Sequence, residues 1–101
     1  MTQIKRIEEM EARLDRSIKA LKDMEAAMDL YEAALADIDA LELYYVGDEW
    51  REDFEADEKG LLPEDLKRGV LSEDGIYNML DDNRGIQVRI AELLAEVLKN
   101  T

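Results

Sequence analysis

Two residue types are missing from this chain, and their absence removes most familiar chemistry. It has no cysteine, hence no disulfide, no thiolate nucleophile and no zinc–thiolate site. It has no histidine, which excludes Ser–His and Cys–His catalytic pairs, His–carboxylate metal motifs and the usual proton shuttle at neutral pH. Aromatic residues are scarce, at 6%, so the core is thin. The β-branched and aromatic enrichment that marks strands is lacking as well. Proline occurs once, at Pro63, and no glycine precedes Gly47, so the first half contains no helix breaker. No apolar run approaches the roughly 20 residues that span a bilayer. The opening Met1-Thr2-Gln3-Ile4-Lys5-Arg6 leads into charged helix and not into an apolar signal segment. The expectation is a soluble, cytoplasmic protein that requires no membrane.

What is present is a single domain's worth of helix-forming residues. The 101 residues are 47% hydrophobic, enough for a core, and Leu, Ile, Met and Ala supply most of it. The formal net charge is −13, which disfavours nucleic acid and anionic membrane as partners because both repel a like-charged surface. Residues 1–22 carry six basic and four acidic side chains, whereas residues 23–65 carry sixteen acidic and two basic ones. The middle of the chain therefore holds essentially the whole excess.

Heptad spacing organises the first half. Ile7, Leu14, Leu21, Met28 and Leu35 recur every seven residues, and Met10, Ser17, Met24, Tyr31 and Ile38 fall three residues after each. Only Ser17 is polar, so this is a seam of the coiled-coil type. It predicts one helix over about 3–45, roughly 64 Å long at 1.5 Å per residue. A helix of that length must project, bend or find a partner, because a compact domain of this size has a radius of gyration of about 13 Å. Glu9 with Arg13 and Asp15 with Lys19 are spaced as four-residue charge pairs.

Gly47 is expected to end this helix and Asp48 to cap a short one over about 49–59, closed by Gly60. Pro63 predicts a further short helix to Arg68, stopped by Gly69. Ser72 is placed to cap a final helix over about 73–99, in which Gly75 and Gly85 each cost about 1 kcal/mol against Ala and Gly85 is the weaker point. The fold class is all-α: two long antiparallel helices joined by an acidic connector with two short helices, in a coiled-coil or bundle-like single domain spanning 1–101.

The stretch from Tyr44 to about Leu80 contains Tyr45, Trp50, the run Leu62-Pro63-Glu64-Asp65-Leu66-Lys67-Arg68-Gly69-Val70-Leu71-Ser72-Glu73-Asp74, and Tyr77. It resembles a small acidic bacterial family catalogued only as a domain of unknown function. The resemblance implies a small helical protein and brings no activity, substrate or cofactor.

Carboxylates at helical spacing, such as Glu49, Glu52, Glu55 and Glu58, invite a magnesium site like that of all-helical nucleotide hydrolases. With 26 acids in the chain such pairs arise everywhere, and no basic cluster lies nearby to hold phosphates. A solvated acidic face is the preferred reading. Asp81-Asp82-Asn83 lacks the spacing of a calcium loop. The basic residues of the first helix are interleaved with acids and read as an ordinary coiled-coil exterior, and the seam methionines read as core.

Tyr44, Tyr45, Trp50 and Phe54 place four of six aromatics within eleven residues. They either plug the end of a thin bundle, the preferred reading, or form an interaction corner, where Trp and Tyr are enriched. Neither catalytic residues nor a metal or other cofactor are expected. The functional expectation is a non-enzymatic interaction protein that forms a homo-oligomer through the seam Ile7, Leu14, Leu21, Met28 and Leu35. The alternatives are an acidic decoy that imitates a phosphate backbone toward a basic protein partner, and a magnesium-dependent all-α nucleotide hydrolase.

Overall fold

A computed structural model describes residues 2–101. It is all-α, with no strand among the described residues. Helix α1 spans Gln3–Tyr45, α2 spans Asp48–Glu58, a 3₁₀ turn covers Gly69–Leu71, and α3 spans Gly75–Lys99. The chain falls into two units, Met1–Asp37 and Ile38–Thr101. No helix among the described residues is long and apolar enough to cross a membrane.

The first unit holds α1 as far as Asp37, and nothing in α1 is buried. Thr2 starts the helix: its hydroxyl accepts the Lys5 amide at 3.2 Å, as an N-cap should. Glu9 and Arg13 pair at 3.5 Å as their spacing predicts. Lys19 turns away from the expected Asp15 and pairs with Asp23 at 2.6 Å instead. Both acids lie one turn from Lys19, so the choice between them costs little.

The second unit contains the end of α1, the connector and α3. Gly47, extended at φ −94° and ψ 173°, is the N-cap of α2. Asp48 is thus the first helical residue and not the cap. It still serves the helix, because Asp48 and Glu49 lie in the first turn, where the helix dipole favours negative charge. The other end of α2 closes as expected. Gly60 adopts φ +70°, its amide bonds the Asp57 carbonyl, and the Leu61 amide bonds the Ala56 carbonyl, both at 3.0 Å. These two bonds form a Schellman cap, and the left-handed position between them suits glycine.

The short helix expected over 63–68 does not form. Its place is taken by one turn in which the Leu66 amide bonds the Pro63 carbonyl at 3.2 Å. So short a segment cannot recover the cost of helix nucleation unaided, and Arg68 has left the helical region at φ −128°. Its guanidinium Nη1 lies 2.6 Å from Asp57 Oδ1, tying the connector back to α2.

Helix α3 begins at Gly75, two residues later than expected, so its N-cap is Asp74 and not Ser72, although Ser72 still binds the first amide of the helix. Its hydroxyl accepts the Gly75 amide at 3.0 Å and donates to the Gly69 carbonyl at 2.9 Å. This draws the 3₁₀ turn against the start of α3. A Cβ on Gly75 would lie 2.7 Å from the Gly69 carbonyl oxygen and 2.6 Å from Ser72 Oγ, so close approach demands glycine here. Space around Gly85 is open. Leu71 and Ile76, on either side of this junction, are the buried hydrophobic residues among those described.

Candidate functional site

The aromatic corner is assembled by the α1–α2 turn. Tyr45 ends α1 and Trp50 lies in the first turn of α2, with Phe54 one helical turn further on. The Tyr45 and Trp50 rings meet edge to face, with centroids 5.1 Å apart and planes at 73°. Trp50 stacks on Phe54 at 5.1 Å and 19°. Both geometries suit aromatic quadrupoles. All three side chains are half-buried. The indole N–H of Trp50 donates to the Val70 carbonyl at 2.8 Å, so the ring that packs on α2 also holds the 3₁₀ turn.

Tyr44 goes elsewhere. Consecutive helical residues point about 100° apart, and the Tyr44 hydroxyl donates to Asp53 Oδ2 at 2.6 Å. Burial, then the hydrogen bond to Asp53 and its charge, with Glu49 adding, push the Tyr44 phenol up to about 12. That is away from neutrality, the wrong direction for an acid–base catalyst near pH 7.

Beside Val70 lies an open apolar groove of about 450 Å³, lined by Leu41, Gly69, Val70, Ile76 and Met79, with Lys67 at its edge. Among the described residues no group of three or more carboxylates is gathered where it could share a metal ion. The acids of α2 at three-residue spacing stand exposed on its surface.

A family model described as Domain of unknown function (DUF4298) matches residues 7–93. The chain belongs to the DUF4298 family. No curated protein and no solved structure matches it. The family match reaches well beyond the Tyr44–Leu80 words that suggested it, taking in most of α1 and α3.

The seam residues of this DUF4298 chain present a second candidate surface. Ile7 is 53% exposed, Leu14 53%, Leu21 71%, Met28 54% and Leu35 38%. Helix α3 likewise exposes Ile86, Ile90, Leu93, Leu94, Val97 and Leu98. Sequence reasoning found the seam and the aromatic cluster but missed three partners: the Val70 carbonyl, Asp53 for Tyr44, and Asp57 for Arg68. A carbonyl acceptor twenty residues away has no sequence signature. The Tyr44–Asp53 pair, bridging two helices, has none either, since local charge rules reach only one helical turn.

Proposed function

We propose that this chain is a non-enzymatic helical interaction protein whose principal partner is another copy of itself. The supporting observation is the seam of α1, where seven of ten heptad positions carry exposed apolar side chains, Tyr31 and Ile38 being half-buried, and no residue is buried along 43 residues. An exposed apolar stripe of this length supports an interaction role on a protein this small. Covering a half-exposed Leu, Ile or Met offers about 1 kcal/mol. Two seams then supply gross stabilisation on the order of 10–20 kcal/mol, which exceeds or matches the cost of association.

The test is mass in solution. Light scattering over a micromolar dilution series is expected to give at least twice the 11.6 kDa of one chain. A monodisperse monomer throughout would reject the reading.

A second reading, the acidic decoy, draws on exposure of charge. Of the sixteen carboxylates between residues 23 and 65, all but Asp57 are exposed. Displacement of DNA from a basic DNA-binding protein at physiological salt would favour it. Displacement only at low salt would reflect net charge alone.

A further inference from the structure

We infer that α1 pairs with α1 of a second copy running antiparallel, in a register whose two-fold axis falls between residues 22 and 23. The inference rests on the self-association proposed above and deepens it by assigning orientation and register.

Three features of α1 lead to it. The first is charge. Residues 1–22 carry a net charge of +2, whereas residues 23–45 hold seven carboxylates and no base. The sign changes between Lys22 and Asp23. A parallel pair would set seven carboxylates beside seven. An antiparallel pair sets each acidic half beside a weakly basic one. Paired helices lie 8–10 Å apart, about one Debye length at 0.1 M salt, so this difference survives screening.

The second feature is the seam. In an antiparallel coiled coil the first and fourth heptad positions of one helix face the fourth and first of the other. Placing Met10 opposite Leu35 of the second copy also places Ser17 opposite Met28 and Leu21 opposite Met24. The exposed seam positions from Met10 to Leu35 are then matched, and the axis that relates them lies midway between residues 22 and 23. The hydrophobic register and the charge boundary are independent properties of the sequence, and they select the same point.

The third is what slippage costs. A slip of one heptad either brings Glu42 against Met10 or leaves Leu35 opposite Gln3, facing no seam residue. The first buries a charge beside an apolar side chain, and the second uncovers an apolar one.

The register also imposes one unfavourable contact, since Glu11 flanks the seam opposite Glu32 of the second copy. In a parallel pair Glu11 would instead lie near Arg6. This gives a variant with opposite outcomes. Glu11→Lys is expected to tighten the dimer by about threefold to tenfold relative to Glu8→Lys, which changes the same net charge on an outward position. A weaker or equal effect of Glu11→Lys rejects the antiparallel register.

Cross-linking reads the geometry directly, because the chain has no native cysteine. In the antiparallel register Ser17 faces Met28, and Ser17 of the two copies lie about 16 Å apart along the axis, too far for a disulfide. Ser17→Cys alone is expected to give no covalent dimer on mild oxidation. An equimolar mixture of Ser17→Cys and Met28→Cys chains, refolded together, is expected to give one. Rapid cross-linking of Ser17→Cys with itself would show a parallel pair and overturn the inference. So would a dimer by light scattering that yields no cross-link in the mixture. A monomer by light scattering would instead remove the self-association reading itself.

Discussion

Trp50 donates its indole N–H to the carbonyl oxygen of Val70, 2.8 Å away, so one side chain of α2 holds down the turn that leads into α3. The same ring stacks on Phe54 and meets Tyr45 edge on. The corner is thus part of the fold of residues 38–101, whatever else it contacts. Trp50→Ala is expected to destabilise the protein by about 2–3 kcal/mol in urea unfolding. Trp50→Phe, which keeps the stacking and loses the hydrogen bond, is expected to cost about 1 kcal/mol. Acrylamide should quench Trp50 clearly less than free tryptophan. Quenching as efficient as that of the free amino acid, with stability unchanged in Trp50→Ala, would make the corner a surface feature instead.

Gly75 and Gly85 both interrupt the helix-forming composition of α3, and they should respond oppositely to alanine. A methyl at Gly75 runs into the Gly69 carbonyl and the hydroxyl of Ser72, so Gly75→Ala is expected to cost about 1–3 kcal/mol. A methyl at Gly85 meets nothing, so Gly85→Ala should stabilise by about 0.5–1 kcal/mol through helix propensity. Thermal melts of the two variants would separate them by sign.

The Arg68–Asp57 pair joins the connector to α2 with both side chains about two-thirds buried, at 32% and 28% exposure. It should count for more than a fully exposed pair. A double-mutant cycle with Arg68→Met and Asp57→Asn is expected to return a coupling energy of about 1–2 kcal/mol. A coupling near zero would mean that the connector is held by Trp50 and the Ser72 hydroxyl alone.

Tyr44 predicts a loss of stability in alkali. Its folded-state pKa is raised to about 12, whereas an unfolded tyrosine ionises near 10. Below pH 10 the phenol is protonated in both states, and its contribution is fully present. As pH rises from about 10 to about 12 the unfolded chain loses the proton first, so stability falls. Unfolding followed across this window should show a steeper decline for the native protein than for Tyr44→Phe. Parallel curves would deny the Tyr44–Asp53 hydrogen bond a role in solution.

How much was legible in advance depends on the range of the interaction. The all-α class, the bounds of α1 and the stop at Gly60 follow from local rules that act within one or two helical turns: heptad spacing, the absence of breakers and left-handed glycine. Where the local signal was weak, the expectation failed. Pro63 read as a helix start, yet the segment behind it is too short to nucleate and is held as a turn by Arg68 reaching Asp57. Asp48 looked a better cap than Gly47, but it is Gly47 that takes the extended backbone of the capping position.

Sequence alone therefore determined the three α-helices to within a few residues, the apolar seam and the change of charge sign at Lys22–Asp23, because these are properties of spacing along one chain. Only the tertiary structure decided that Tyr45, Trp50 and Phe54 form one aromatic cluster while Tyr44 leaves it for Asp53, that Val70 receives the indole, and that Gly75 is closely packed where Gly85 is not. Each of these depends on which backbone comes within a few ångströms of another, and van der Waals and hydrogen-bond forces are felt only at that range.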